Sequence, residues 1–237
     1  MNPQRRQAYL LAMGLETWQR RAAPGVRQVP VTPPPREVPP AAPDPSRAPE
    51  SPVAELDWPA LQARVAACRR CELHRGRTQT VFGVGNPDAD LMVVGEAPGA
   101  DEDRLGEPFV GRAGQLLTAM LRAIGLQRTD VYIANILKCR PPGNRNPTLE
   151  EAAACQPFLE RQIALIRPKL ILSVGAVSAH NLLGTEESVG KLRRRVHHYG
   201  AAAVPVLVTY HPAYLLRRPE EKAKAWEDLQ QAVRLLR

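Results

Sequence analysis

Several residue types are scarce in this sequence, and each shortage narrows what the chain can be. Aromatic residues make up 5% of the 237 residues, and there are four cysteines. No apolar run approaches the roughly 20 residues that a membrane-spanning helix requires. Residues 1–21 also lack the unbroken apolar core of a secretory signal, because arginine and glutamate interrupt it. We therefore expect a cytoplasmic protein that does not enter a membrane.

The charge balance is one-sided. Lysine and arginine outnumber aspartate and glutamate by 32 to 24, which gives a net charge of +8. A basic protein favours a polyanionic partner such as nucleic acid, although a basic surface also improves solubility or attracts a membrane surface. The charge alone favours nucleic acid over these alternatives.

Proline is concentrated near the N-terminus. Eleven of the 24 prolines lie from Pro24 to Pro52, among few residues able to form a core. This composition is typical of an extended, disordered linker. We therefore divide the chain into residues 1–54, a short helix followed by this linker, and residues 55–237, one folded domain.

The short N-terminal helix is predicted from apolar spacing. Leu11, Leu15 and Trp18 fall at positions i, i+4 and i+7, which places them on one face of a helix flanked by arginines. Such a face fits a protein partner, and it equally fits an amphipathic segment that rests on its own domain. An arginine-rich targeting sequence is a third interpretation.

From Leu56 onward, short apolar runs alternate with helical periodicity. The predicted strands are 91–94, 131–137, 170–174 and 204–209. The predicted helices are 111–124, 149–166, 176–183 and 220–236. Thr148 and Glu151 form a capping box for the second helix, and Gly184 is placed to end the third. The alternation predicts an α/β fold, a three-layer α/β/α sandwich around a mostly parallel four-stranded sheet.

Unusual motifs follow three of the four predicted strands, at the edge where open parallel sheets bind ligands. After the first strand come residues 95–103, GEAPGADED, and residues 106–114, GEPFVGRAG. A connecting turn explains some of these glycines, but five acidic residues and the isolated Phe109 favour a binding loop. The loop lacks the spacing of a phosphate-binding Walker sequence, and its acidic groups would repel phosphates.

The other two motifs place polar groups at the same edge. Asn135 near the end of the second strand presents a donor and an acceptor to a base, although it also fits an Asn that caps its own backbone. His211 follows the fourth strand, where a lone histidine is often only a satisfied polar residue. After it come an apolar wedge and two arginines suited to DNA: Tyr214, Leu215, Leu216, Arg217 and Arg218. Residues 191–218 hold six basic residues and no acidic one, the candidate DNA footprint or a solvated face.

The four cysteines form a possible metal site. Cys68 and Cys71 make a C-x2-C pair, and Cys139 and Cys155 form a second, wider pair. A redox dithiol would leave the second pair unexplained, and an intracellular protein disfavours disulfides. The spacing alone fits four-thiolate zinc and a [4Fe–4S] cluster about equally well.

Together, residues 95–117 (GEAPGADEDRLGEPFVGRAGQLL), 135–147 (NILKCRPPGNRNP) and 211–217 (HPAYLLR) closely resemble family 4 uracil-DNA glycosylases, the iron–sulfur type. The resemblance covers the chain from about Leu56 to the C-terminus. It implies a [4Fe–4S] cluster bound by the four cysteines, and this resemblance, not the spacing, favours iron–sulfur over zinc. It also makes residues 55–237 the catalytic domain.

The resemblance implies specific roles for the motif residues. Phe109 stacks on a flipped uracil, Asn135 reads its polar edge, and His211 contacts the O2 side, with Gly95 and Ala97 completing the pocket. The predicted catalytic residues are Glu96, Glu102, Asn144 and His211. Among these, Glu102 is placed to crowd the C5 position of the base, and Asn144 to position the attacking water. Ala97 stands where better-known uracil glycosylases carry an Asp that orients this water, which puts a direct copy of their mechanism in doubt.

The implied activity is monofunctional removal of uracil from single- or double-stranded DNA by a monomer. The segment RPPGNRNP lacks the basic insertion of a related group that traps uracil DNA covalently, so turnover is expected. Two other classes of protein would share some of these sequence features. A non-catalytic DNA-binding module needs the basic strip and the cluster, and an electron-transfer protein needs the cysteines.

Overall fold

The computed structural model describes residues 52–237. The predicted N-terminal helix and most of the proline-rich linker lie outside the described residues. The division at residues 54 and 55 therefore stays a prediction.

Within residues 52–237 the strands form one six-stranded sheet, in the order β1-β3-β2-β4-β6-β5. The strands are β1 (Val84–Gly85), β2 (Leu91–Gly95), β3 (Tyr132–Asn135), β4 (Leu170–Val174), β5 (His197–Tyr199) and β6 (Val204–Thr209). The four central strands are parallel, and they are the four that the sequence predicted. The predicted number of strands is wrong, because β1 and β5 add antiparallel edges. At two and three residues, these edges are too short to produce an alternating pattern.

The described residues also form eight α-helices. They are α1 (Trp58–Ala66), α2 (Ala100–Leu105), α3 (Arg112–Ala123), α4 (Leu149–Ile166), α5 (Ala176–Leu183), α6 (Val189–Leu192), α7 (Pro212–Arg217) and α8 (Lys222–Leu236). The predicted capping box is confirmed: Thr148 Oγ1 accepts from the Glu151 backbone N–H at 3.2 Å, and Glu151 Oε2 accepts from the Thr148 N–H at 2.9 Å. Gly184 ends α5 in the left-handed conformation, as predicted. None of these helices is long and apolar enough to cross a membrane.

Helices cover both faces of the sheet because strand side chains alternate in direction. Leu91 and Val93 of β2 belong to an apolar cluster with α3, α7 and α8. Met92 and Val94 point the other way, into a cluster with α4 and α5. The parallel strands are thus buried on both faces, and their carboxyl ends meet at one edge of the sheet.

Candidate active site

The three sequence motifs meet at this edge, around an open cleft with a volume of about 600 Å³. Its lining includes Glu96, Ala97, Phe109, Asn135, Asn144, His211, Tyr214 and Arg217. Gly95 ends β2 beneath them. A Cβ at Gly95 would lie 2.5 Å from Asn135 Oδ1 and 2.5 Å from Phe109 Cζ. Only glycine therefore allows these two side chains to approach each other here.

Phe109 is held in an uncommon backbone conformation. Its φ is 55°, in the left-handed region, which is unfavourable for a bulky residue by about 1–3 kcal/mol. The ring is 7% exposed, and its centroid lies 5.7 Å from that of His211, with 31° between the planes. Backbone strain of this kind is concentrated at ligand sites, where the surrounding structure compensates for it.

Asn135 brings an unpaired polar atom to the cleft. The residue is 2% exposed, and its buried Oδ1 has no hydrogen-bond partner among the described residues. A buried acceptor without a partner costs about 1–3 kcal/mol. A ligand that donates a hydrogen bond to this oxygen would remove that cost.

His211 is a neutral hydrogen-bond donor. Its Nδ1 accepts from the Ala213 backbone N–H at 3.1 Å, so in the neutral ring the proton sits on Nε2. Burial lowers the pKa of His211 to about 4, and the nearby positive charge of Arg217 contributes in the same direction. At neutral pH the ring therefore presents an uncharged Nε2–H toward the cleft.

The two glutamates that were predicted to be catalytic have different surroundings. Glu102 accepts from three backbone N–H groups, those of Gly99 at 3.1 Å, Val110 at 3.0 Å and Gly111 at 3.1 Å. It therefore ties the start of α2 to the two residues that follow Phe109, an arrangement that the sequence motif did not reveal. Glu96 faces the cleft, and burial raises the pKa of its carboxyl group.

Asn144 and Ala97 also line the cleft. Asn144 has a φ of 54°, and its Oδ1 accepts from Arg140 Nε at 2.8 Å. The next residue, Arg145, forms a bidentate ion pair with Glu151 at 2.6 and 2.8 Å. This pair joins the loop to the capping box of α4, a contact that the motif spacing did not reveal.

The residues of the predicted wedge lie on different faces of helix α7. Tyr214 lines the cleft and stacks on Tyr210 with 5.2 Å between centroids, and Leu216 is 36% exposed. Leu215, the remaining residue of the predicted wedge, faces away from solvent. Leu215 is 1% exposed and belongs to the core cluster beneath the sheet. Helix α7 turns these two adjacent leucines in different directions, and only one faces solvent.

The basic strip 191–218 does not act as one charged surface. Arg193 is 6% exposed and pairs with Asp228 at 2.9 Å. Arg194 pairs with Glu227 and Arg195 with Glu187, at 2.6 and 3.1 Å. These acidic partners lie outside the strip, so a charge count along the sequence could not include them. Arg217 lines the cleft and is exposed, and the exposed Arg218 next to it pairs with Glu220 at 3.5 Å.

The four cysteines lie together, at a site separate from the cleft. Cys68, Cys71, Cys139 and Cys155 are free thiols that line one small cavity. Arg77 Nη1 donates to Cys139 Sγ at 3.1 Å, and the Lys138 backbone N–H donates to Cys155 Sγ at 3.3 Å. Within residues 52–237 no three Cys, His, Asp or Glu side chains are grouped as ligands of a single metal ion. The sulfurs instead surround a shared space.

The cleft defines a class of site. An aromatic ring, an unpaired amide and a neutral imidazole N–H surround one space, which suits a flat heterocycle with polar edges, such as a nucleobase. Comparison with known proteins agrees, because the family model described as the uracil DNA glycosylase superfamily matches residues 82–230. The chain belongs to the uracil-DNA glycosylase superfamily.

Several curated relatives are similar over most of the chain. A Type-4 uracil-DNA glycosylase from Archaeoglobus fulgidus is 46% identical over 170 residues, 69% of this chain and 85% of the relative. A Type-4 uracil-DNA glycosylase from Thermotoga maritima is 45% identical over 175 residues, 73% and 91% of the two chains. One from Pyrobaculum aerophilum is 42% identical over 180 residues, 73% and 92%.

Proposed function

We propose that this protein is a monofunctional uracil-DNA glycosylase of base excision repair. It flips uracil out of single- or double-stranded DNA, hydrolyses the N-glycosidic bond and leaves an abasic site. The observation that carries this proposal is the unpaired, buried Oδ1 of Asn135, in the cleft that Phe109 and His211 also line. Residues 55–237 form the catalytic domain of a cytoplasmic monomer, and residues 1–54 offer a segment for a protein partner.

Asn135 reads the edge of the base. Its Oδ1 accepts from uracil N3–H, and its amide N–H donates to uracil O4. Cytosine has an acceptor at N3 and an amine at C4, so both pairings fail and buried polar groups stay unpaired. Phe109 stacks on the ring, and Gly95 and Ala97 leave room for it. Glu102, which holds this loop and lines the cleft, crowds a methyl group at C5.

The chemistry separates charge, and the cleft residues stabilise it. When the bond between C1′ and N1 breaks, its electron pair leaves with uracil, and negative charge develops at O2. The His211 Nε2–H donates to this oxygen, a type of contact whose loss costs roughly 10²–10³ in rate in other enzymes. The Glu96 carboxylate faces the positive sugar. Water held by Asn144 then adds to C1′, and the proton it loses balances the charge of the departing uracil.

The exposed end of α7 contacts DNA. Tyr214 and Leu216 fill the space of the extruded nucleotide, and Arg217 and Arg218 contact phosphates. Extrusion costs a few kcal/mol, which stacking on Phe109 and these contacts offset.

The cysteine site suits a [4Fe–4S] cluster bound by Cys68, Cys71, Cys139 and Cys155. Arg77 and Lys138 supply N–H groups to two of the sulfurs, the kind of contact that surrounds cluster ligands. The Lys138 ammonium is 1% exposed and donates to two neutral acceptors, Asn135 O and Gln162 Oε1. Thiolates beside it would supply compensating negative charge. When bound, the cluster cross-links the α1 end, the loop after β3 and helix α4.

The direct test is incubation of the purified protein with single- and double-stranded oligonucleotides that carry one uracil, followed by alkaline cleavage. We expect strand breaks at uracil and none in matched oligonucleotides with thymine or cytosine. Tight DNA binding without abasic sites would favour a non-catalytic module. Reversible reduction without DNA binding would favour an electron-transfer protein.

A further inference from the structure

The backbone around Phe109 is held by two charged side chains from different parts of the chain. We call residues 108–111 the platform loop. Arg128 donates to both carbonyl groups at its start, Pro108 O at 2.8 Å and Phe109 O at 3.2 Å. Glu102 accepts from both amide groups at its end, those of Val110 and Gly111. Each of these four consecutive residues thus has one backbone group with a charged partner.

The conformation that these partners hold is one that Phe109 would not keep unaided. Its left-handed φ is rare for an aromatic residue. The first turn of α3 packs against the same peptide, because a Cβ at Gly114 would lie 1.7 Å from Phe109 O. The platform loop is therefore fixed from the helix side, the carbonyl side and the amide side.

Arg128 suits this task by its chemistry and its position. It lies in the turn after α3, is partly buried, and has Glu107 nearby as a compensating charge. A guanidinium presents several N–H donors in a rigid plane, so it can bind two successive carbonyl groups at once. A lysine ammonium has no such planar fork.

We infer that Arg128 is a positioning residue that holds the Phe109 ring in the orientation needed to stack on the extruded base. The inference rests on the proposed function. Arg128 does not line the cleft, and it acts through the Pro108 and Phe109 carbonyl groups.

Phenylalanine content gives a test that needs no substrate. The chain has three phenylalanines, Phe82, Phe109 and Phe158. In protein labelled with 4-fluorophenylalanine, we expect Arg128→Met to shift or broaden the ¹⁹F signal of Phe109 and to leave the other two unchanged. Arg122→Gln, an exposed arginine on α3, is the matched control and should move none. If Arg128→Met unfolds the protein, all three signals will change. Arg128→Lys is then measured instead, and we expect it to shift the Phe109 signal by a smaller amount. An unchanged Phe109 signal in both variants would overturn the inference.

Kinetics on uracil DNA separate this inference from the proposed function. Hydrogen bonds from a charged donor contribute about 1.5–3 kcal/mol, so Arg128→Met should lower kcat/KM about 10- to 100-fold. Because Arg128 acts through Phe109, a double variant with Arg128→Met and Phe109→Ala should have nearly the same kcat/KM as Phe109→Ala alone. The losses in kcat/KM caused by Arg128→Met and His211→Ala should instead multiply when the two are combined. If the losses in kcat/KM caused by Arg128→Met and Phe109→Ala multiply fully, the inference is overturned. An inactive wild-type protein would instead refute the proposed function, and the ¹⁹F result would still stand.

Discussion

The cleft and the cysteine site are neighbours that follow one strand, yet they are built in opposite ways. Asn135 ends β3, and Cys139 comes four residues later. The cleft is open, keeps the Oδ1 of Asn135 unpaired and holds Phe109 in a strained conformation. The cysteine site is a small cavity that packs against an apolar cluster, and sulfur atoms in it already accept hydrogen bonds. An open site with unmet hydrogen bonds suits a ligand that enters and leaves, whereas an enclosed one suits a resident group.

Lys138 joins the two regions. Its Nζ donates to the Asn135 carbonyl at 2.9 Å, and its backbone N–H donates to Cys155 Sγ. We therefore expect a group bound at the cysteine site to influence Asn135, the residue proposed to read the base. The experiments below disturb one region and ask whether the other changes.

The largest effect is expected at His211. His211→Ala should lower the single-turnover rate on uracil DNA about 10²–10³-fold, because it removes a donor to charge that develops only as the bond breaks. Binding of uracil DNA should weaken far less, and iron content should not change. His198→Ala, an exposed histidine on β5, is the control. A full rate in His211→Ala would rule out the assigned role.

Loss of a cysteine should act mainly on stability. Anaerobically purified protein should contain about four irons per chain and absorb broadly in the visible range. Burial raises the pKa of the Cys155 thiol to about 12, so a metal centre must displace its proton. Cys155→Ser should lose iron and lower the midpoint of urea unfolding, whereas Ala153→Ser on the exposed side of α4 should do neither. Stoichiometric zinc without iron would contradict the cluster assignment.

The exposed arginines at the cleft should have a smaller effect. Replacing Arg217 and Arg218 with Ala should weaken DNA binding and reduce the slope of log K against log salt by about 0.9 per lost phosphate contact. Arg194→Ala is the comparison, since Arg194 does not line the cleft and pairs with Glu227 at 2.6 Å. An unchanged salt slope in the double variant would place the phosphate contacts elsewhere.

The pH dependence should be the mildest effect. Because the folded pKa of His211 is about 4, below the usual 6.5, the rate should show no inflection from His211 near pH 6.5. The unfolded chain takes up a proton between pH 6.5 and 4 that the folded chain does not. The contribution of neutral His211 to stability is therefore complete above pH 6.5. Below that pH it falls, and the free energy of unfolding decreases by up to about 1.4 kcal/mol per pH unit. Urea unfolding should show the stability difference between wild type and His211→Ala shrinking from pH 7 to pH 5; an equal difference would contradict the lowered pKa.

Sequence periodicity predicted the long elements well and the local contacts poorly. Leu149–Ile166 and Val204–Thr209 have their predicted bounds, because strong apolar patterns and a capping box define them. The edge strands β1 and β5 are too short to leave a pattern. Leu215 and Leu216 look alike in sequence, and only the phase of α7 separates them; a proline at the start of that helix was the available signal.

The site was predicted as a set of motifs, but not as a set of contacts. Residues that follow parallel strands must meet at one edge, so Asn135 and His211 could be placed together beforehand. The hydrogen bonds of Glu102 and Arg128 go to backbone groups, which carry no residue identity and leave no trace in the sequence. The ion pairs of Arg193, Arg194 and Arg195 depend on partners that only the fold brings near.

Asn135→Asp tests the central claim most directly, that the unpaired amide in the cleft exists to read uracil. The change keeps the shape of the side chain and replaces the amide donor with an acceptor, which opposes uracil O4 and suits the amine of cytosine. Single-turnover cleavage should be measured on matched oligonucleotides that carry uracil or cytosine at the same position. We predict that uracil excision falls sharply, that weak cytosine excision appears and that iron content stays the same. Unchanged uracil excision in this variant would contradict the account.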